Sequence, residues 1–488
     1  LCEEGKKAIH EADTEISEAI DFCRYYAETG MDPQGVHSEP LGTVVVTPPW
    51  NFPFAIPCGG VVGALMAGNA VILKPASKSA RIGWWLVQKL WEAGVPREVL
   101  HFVLPSDRSA GRALIDDDRT NAVILTGAYE TARMFQSWRP SLRLFAETSG
   151  KNALVISALA DTELAAKDLV KSAFSHSGQK CSAASLGILE AEVYDDPIFR
   201  RQLRDAAASL KVGPSSDPAS IVTPVILEPD EKLMRALTKL DEGEEWLLEP
   251  KVSEKNSLLW SPGIKIGVTR GSWFHMNECF GPVLGLMRAV DLDEAVTLQN
   301  DVDYGLTAGI HSLDETEIAE WKSKVQAGNL YINRGITGAI VQRQPFGGWK
   351  KSSIGPGAKA GGPNYVNLFR TCTDLEPVSV ECARQDYQQA WDSHFNIGHD
   401  PSGLRCESNV FRYRSSHGVV LRLADEDERS ENLARLAAQV TGTPLTISRA
   451  SEESDEDFAS RLPQLARTNE FIRTVAGPPV DVVLEASY

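Results

Sequence analysis

Cysteine pairs at CxxC spacing are missing from this chain, and a zinc ribbon or dithiol redox motif is excluded with them. The eight cysteines (Cys2, Cys23, Cys58, Cys181, Cys279, Cys372, Cys382 and Cys406) are scattered over 488 residues. That is too sparse for a disulfide framework, so a reducing, cytoplasmic setting is expected, with no metal site. Runs of Lys and Arg are missing as well. At a formal net charge of -17 the chain repels nucleic acid and anionic membrane, and neither is expected as a partner. No leader pattern of basic, apolar and small residues opens the chain. Its most apolar run, residues 61–73, is interrupted by Gly68 and Asn69 and is too short to cross a bilayer, so no transmembrane segment is expected. A suitably placed GxGxxG is also absent. The first residue is Leu1, inside a charged helical pattern, which reads as a fragment whose upstream part is missing.

What is present is an ordinary globular composition, 43% hydrophobic and 24% charged, long enough for about three domains. Residues 3–27 read as a helix with Ile9, Ile16, Ile20 and Cys23 near one face. Residues 30–40 read as loop. Strand patterns follow at 42–47, 70–74, 101–104 and 122–125, separated by helical patterns that include a small-residue helix at 59–67. Apolar runs at 142–146 and 153–156 flank Glu147. This alternation predicts a parallel sheet covered on both faces. A second series has strands near 262–268, 283–288, 308–311 and 330–333 and helices at 291–300 and 315–325. From about Cys372 the composition turns polar and acidic. Residues 418–423, 431–440 and 444–448 there still read as one β-α-β unit. The run SEESDED, 451–457, reads as a solvated acidic face or loop.

The stretch around which the rest is arranged is FSHSGQKCSAA, residues 174–184. LAAKDLVKSAF delivers it as a helix that Gly178 breaks, and small neighbours leave Cys181 room to meet a substrate. A thiolate is a strong nucleophile when nearby N–H groups or positive potential favour it. Glu147, in ETSGKN, closes the apolar run LRLFAE. That places it at a strand end facing a cleft, where a carboxylate can activate water. Asn51, on the turn PPWNFP, can donate to an oxyanion together with the Cys181 N–H. Lys74, where AVILK emerges, suits a ribose or phosphate at a sheet's carboxyl edge. In LTGAYE, Gly127 stands between strand and helix, where N–H groups can approach a pyrophosphate. Glu278, in NECFGPV, is unremarkable alone.

Together PPWNFP, VILKPAS, LTGAYE, AETSGKN, SGQKCSA, NECFGPV and QPFGGWKKSSIG resemble the aldehyde dehydrogenase superfamily, in its order and approximate spacing, over residues 3–370. The resemblance implies an α/β fold: a Rossmann-like NAD-binding domain (1–148), an α/β catalytic domain carrying the thiol nucleophile (149–345), and a closing segment (346–370). It implies Cys181 as nucleophile, Glu147 as general base and Asn51 as oxyanion donor. Trp50, Lys74, Gly127, Glu278 and Phe280 would surround a nicotinamide cofactor. Ser77 stands where many relatives carry an acid that contacts the ribose, leaving NAD versus NADP open. Ala128 stands where a serine often touches the pyrophosphate. The stretch RGITGAIVQRQPFGGWKKSSIGPGAKAGGPNYV further resembles the glutamate-γ-semialdehyde (1-pyrroline-5-carboxylate) dehydrogenases. Gly338 and Ala339, with Ser182, would grip the substrate's α-carboxylate, any side chain at 338 intruding on the ligand. Phe52 and Phe346 would flank its aliphatic stem. Another aldehyde remains the alternative substrate.

Residues 371–488, marked by SNVFRYRSSHGVVLRL, resemble the extra C-terminal domain of long proline utilization A proteins. The resemblance implies a degenerate aldehyde dehydrogenase-like domain, structural or channel-covering. A homo-oligomer is expected. In a longer parent, a covalently linked upstream domain would be an FAD-dependent proline dehydrogenase, which this sequence does not contain.

Overall fold

The computed structural model describes residues 1–376, 378–423, 427–468 and 471–475. The chain divides into two compact units: Leu1–Asp32 with Glu39–Phe135 and Arg143–Thr371, and Pro33–Ser38 with Gln136–Leu142 and the residues from Cys372 on.

Two sheets build the first unit. The six-stranded sheet has the order Ser353–Ile354, Arg143–Glu147, Ala122–Thr126, Thr43–Thr47, Ala70–Leu73 and Leu100–Phe102. Every pair is parallel except the short edge strand Ser353–Ile354. The central runs Val44–Val46 and Ala122–Leu125 can be continuously apolar because successive residues, which face opposite sides of the sheet, are all buried. The order reverses between Thr43–Thr47 and Ala122–Thr126, which opens a crevice at their carboxyl ends. The helix Ala55–Met66 packs closely because it is rich in glycine. A Cβ on Gly59 would lie 3.2 Å from the Phe22 ring, and one on Gly60 would lie 3.1 Å from Val46.

The first helix, Ile9–Thr29, starts later than the sequence pattern suggested and turns a different face inward. Ala12, Glu15, Ala19, Phe22 and Tyr26 are buried, whereas Ile9, Ile16 and Ile20 are 42%, 38% and 47% exposed. Polar demand overrides the isoleucine periodicity. Glu15 Oε1 accepts from the N–H groups of Phe54 (2.7 Å) and Ala55 (3.2 Å), which begin the helix Ala55–Met66. Its other oxygen pairs with buried Lys7 at 2.6 Å. Unpaired helix-start N–H groups buried here would cost more than three half-exposed isoleucines. Cys23 and Cys58 are free thiols whose Sγ atoms lie 3.6 Å apart. Residues 30–40, read as loop, include the strand Val36–Pro40.

The seven-stranded sheet has the order Asn329–Ile332, Thr307–His311, Asn152–Ile156, Ala184–Glu190, Val283–Ala289, Gly263–Ile266 and Glu245–Leu248. All pairs are parallel save the last. The strand Asn152–Ile156 begins soon after Glu147 closes its strand in the other sheet. The carboxyl edge of one sheet thus passes directly into the amino edge of the next.

In the second unit a parallel three-stranded sheet, Leu445–Arg449, Val419–Leu423 and Phe471–Val475, is accompanied by helices Glu428–Thr441 and Asp455–Thr468. Val420, Phe458, Ala459 and Leu462 form its core. Buried Arg422 donates to Ser448 (2.8 Å) and Asp455 (2.7 Å). The acidic run 451–457 is therefore only partly loop. Asp455, Glu456 and Asp457 form the first turn of a helix, where negative charge complements the helix dipole. Among the described residues no helix is long and apolar enough to cross a membrane.

Candidate active site

The helix Thr162–Phe174 ends at Phe174, four residues before the expected break at Gly178. His176 (φ 50°), Ser177 (φ 55°) and Gly178 (φ 70°) are all left-handed, which no α-helix tolerates. Buried hydrogen bonds hold this conformation. Ser177 Oγ donates to Thr223 O and accepts from Thr223 N at 3.0 Å. Gln179 Oε1 accepts from Ile226 N at 3.0 Å. A Cβ on Gly178 would overlap the carbonyl oxygen of Gly281. Gly178→Ala is therefore expected to cost about 2 kcal/mol or more of stability and to depress turnover together with it. A thermal melt and a rate measurement check this, and an unchanged melt would contradict it.

This loop presents Cys181, half-buried at the amino end of the strand Ala184–Glu190. Its carbonyl is clamped by Asn152 Nδ2 at 2.6 Å, which also reaches Ala183 O at 3.0 Å. A Cβ on Gly150 would lie 2.6 Å from the Cys181 oxygen, so glycine is required there. Burial first, then the charges of Glu278 and Glu147, push the thiol up to about 12, while the N–H groups of Ser182 and Cys181 act in the opposite direction. Asn51 is buried, and its Nδ2 donates to Gln179 O at 3.0 Å. An amide carries two N–H donors, so one remains for a ligand.

Glu147 ends the strand Arg143–Glu147. Its Oε2 accepts from Gly348 N at 2.9 Å and its Oε1 from Ser353 Oγ at 3.2 Å. Burial raises this carboxyl to about 7, against the lowering effects of the Gly348 N–H, Lys359 and Ser353. Glu278 Oε1 accepts from Gly150 N at 3.1 Å, and burial raises it too to about 7. Two carboxyls that titrate near neutrality thus flank one thiol. Such shifts cluster where proton transfer is performed.

The carboxyl edge of the six-stranded sheet carries the expected cofactor residues. Lys74 follows Ala70–Leu73 and is half-buried. Burial lowers its pKa, and among the described residues nothing hydrogen-bonds or ion-pairs with its ammonium. A desolvated cation without a partner fits a ligand that brings hydroxyls or phosphate. The Trp50 and Phe280 rings meet edge to face at 5.5 Å. Ser77 opens the short turn Ser77–Ser79 and is exposed, as is Ala128. The Gly127 N–H donates to Glu147 O at 3.1 Å, which fixes the turn between strand and helix. Among the described residues no group of three His, Cys, Asp or Glu is arranged to hold a metal ion.

Of the expected substrate residues, Phe52 carries buried Lys7 Nζ 3.7 Å above its ring. Buried Ser182 accepts from Thr307 Oγ1 at 3.3 Å through its carbonyl. Phe346 bridges Ala360 through N–H···O bonds of 2.9 and 3.0 Å. Gly338 is exposed at φ 81°, with nothing within 4 Å of a Cβ built there. Its glycine is thus required by backbone conformation, and a Cβ there would meet no protein atom. The segment is anchored on either side by Ile336 N to Ser172 Oγ and Ile340 N to Gln344 Oε1, each 3.0 Å. Glu278 and Glu147 lie close enough to Cys181 for their charges to act on its thiol, and Asn51 is tied to the nucleophile loop at Gln179 O, whereas among the described residues no such link connects Ser77 or Gly338 to the thiol. Sequence reasoning passed over Gly150 and Asn152, the last of which closes the quoted motif ETSGKN, and also Gly348, Ser353 and Lys359.

A model of the aldehyde dehydrogenase family matches residues 1–373. The 1-pyrroline-5-carboxylate dehydrogenase of Geobacillus sp. (strain WCH70) is 36% identical over 392 residues, 75% of each chain. That of Bacillus cereus (strain ATCC 10987 / NRS 248) is 36% identical over 402 residues, again 75% of each. Proline Utilization A (PutA) from Corynebacterium freiburgense superposes with a TM-score of 0.89 at 44% identity, over 99% of this chain and 53% of that one. This chain therefore spans about half the length of that protein. A point mutant of Thermus thermophilus 1-pyrroline-5-carboxylate dehydrogenase gives a TM-score of 0.70 at 33% identity, over 76% of each chain.

Proposed function

Since this chain belongs to the aldehyde dehydrogenase family, we propose that it oxidises L-glutamate γ-semialdehyde, the hydrolysed form of 1-pyrroline-5-carboxylate, to L-glutamate in proline catabolism. The observation that carries the chemistry is one thiol, Cys181, flanked by carboxyls that titrate near pH 7, Glu147 and Glu278. The substrate rests on the names of the relatives. The Cys181 thiol first loses its proton to solvent; the thiolate then attacks the aldehyde carbon, and the alkoxide is met by the free Asn51 N–H and the Cys181 backbone N–H. A bound NAD supplies the hydride acceptor, with NADP open at Ser77. Loss of hydride re-forms the carbonyl as a thioester on Sγ. Glu147 then takes a proton from water, which attacks the thioester; the C–S bond breaks to release the acid and the Cys181 thiolate, and Glu147 gives up its proton to restore the starting state. Lys74, Trp50, Phe280 and Glu278 are assigned to the dinucleotide, its pyrophosphate being met by the backbone beyond Gly127. Phe52, Phe346, Ser182, Gly338 and Ala339 are assigned to the substrate.

The setting proposed is cytoplasmic and homo-oligomeric, with an upstream FAD-dependent proline dehydrogenase in a longer parent. Residues 371–488 are assigned a structural or covering role, since the Cys181, Glu147 and Lys74 motifs have no counterpart there.

The experiment for the substrate is Gly338→Ala. Alanine fits the open space but strains a φ of 81°, shifting the N–H groups assigned to the α-carboxylate. KM for the semialdehyde is expected to rise about tenfold, the worth of one charge-assisted bond, with propanal little changed. Equal impairment of both would remove the carboxylate assignment. For the cofactor, Ser77→Asp is expected to lower NADP use relative to NAD at least about tenfold by like-charge repulsion, read from kcat/KM with each dinucleotide. An unchanged ratio would place the ribose elsewhere.

A further inference from the structure

One half-buried cation beside the site has no part in the chemistry above. Lys359 Nζ donates to Gly328 O and to Asn329 Oδ1, the latter at 3.1 Å. Both acceptors are neutral, and among the described residues no carboxylate lies within ion-pair distance of it. Asn329 is a hub. Its Oδ1 also accepts from Gly347 N at 3.2 Å, and its Nδ2 donates to Pro345 O at 3.0 Å. The next residue, Gly348, gives its N–H to Glu147 Oε2. A Cβ built on Gly347 would touch both Lys359 Cγ (3.0 Å) and Glu147 Oε1 (3.2 Å), so lysine stem and carboxylate crowd the same point. The antiparallel Phe346–Ala360 bridge, next to Lys359, holds the two ends of the intervening segment together.

We infer that Lys359 is a positioning residue for the hydrolytic half-reaction: through Asn329 it fixes the 345–348 strap on Glu147, and its positive charge keeps the Glu147 carboxylate ionised. The inference rests on the reading of Glu147 as the base. Burial raises Glu147 and lowers Lys359, and each opposes that shift in the other. The other titratable groups that feel Glu147 are Cys181 and Tyr365, both held neutral by upward shifts. Lys359 is thus the one cation acting on the carboxylate among the described residues. A base that must be ionised at neutral pH in a desolvated site needs such a counter-charge.

Lys359→Gln keeps a hydrogen-bond donor and removes the charge. Lys359→Arg keeps the charge, and Lys359→Met removes both. Stopped-flow NADH traces from pH 5.5 to 9.5 separate the hydride burst from the steady thioester hydrolysis. In Lys359→Gln the acid limb of the steady rate is expected to move up by about one pH unit, a tenfold loss well below the limb with the high-pH plateau retained. The burst should be unaffected, and Lys359→Arg should return the limb to its original place. An unmoved limb in folded Lys359→Gln overturns the inference, and so does equal slowing of burst and steady phases. If Lys359→Met fails to fold, the Gln and Arg pair decides. Failure of the underlying reading shows separately, as absence of a burst in Glu147→Gln.

Discussion

Replacing Cys181 by alanine is expected to reduce turnover below about 1% of the wild-type rate, since losing a covalent nucleophile removes several decades. NAD binding should stay nearly intact. The clamps on this residue, Asn152 Nδ2 and the close approach of Gly150, act on its carbonyl oxygen, so removing Sγ leaves the loop in place. No other thiol can substitute. Cys279 is buried, its Sγ directed to Asn277 O at 3.6 Å, and burial raises its pKa. Steady-state assays and calorimetric titration with NAD check the two halves. Residual activity well above that level would remove the thiol from the centre of the mechanism.

Glu147→Gln should separate the two chemical halves. Glutamine can still accept from Gly348 N or Ser353 Oγ, so the local packing survives, but it cannot take a proton. Rapid mixing is expected to show a full burst of NADH followed by a steady rate lower by about 10²–10⁴, the usual worth of a general base. The pH dependence follows from the same group. A carboxyl raised to about 7 is protonated and idle below that pH and ionised above it, so wild-type hydrolysis should climb as pH rises through 7. The variant should lose that limb. Equal slowing of both phases would instead assign Glu147 to activation of the thiol.

The parallel sheets were legible because their signals are local. VVV within TVVVT, AVIL within AVILK and AVIL within AVILT are continuous apolar runs with turn residues between the segments, and LRLFAE contains the strand Arg143–Glu147. The inward face of the first helix was not legible. Its burial is decided by helix-start N–H groups 39 and 40 positions away from Glu15, and periodicity cannot register such a demand. The nucleophile loop was half legible: Gly178 marked a break, but left-handed His176 and Ser177 depend on partners such as Thr223, brought in by the tertiary fold. Lys359 lies among glycines and prolines, where nothing in the local sequence singles it out. Its connection to Glu147 runs through Asn329, which lies just before the expected strand 330–333 and opens the observed strand Asn329–Ile332.

The central claim is the pairing of this thiol site with a carboxylate-bearing aldehyde, and the measurement that meets it directly is NADH formation by the purified chain. Substrates would be 1-pyrroline-5-carboxylate, propanal, hexanal and succinic semialdehyde at equal concentrations. The account predicts kcat/KM for the pyrroline-derived semialdehyde at least about a hundredfold above propanal, the worth of two lost charge-assisted bonds. Turnover of hexanal or succinic semialdehyde equal to or faster than that of the pyrroline-derived substrate would contradict it.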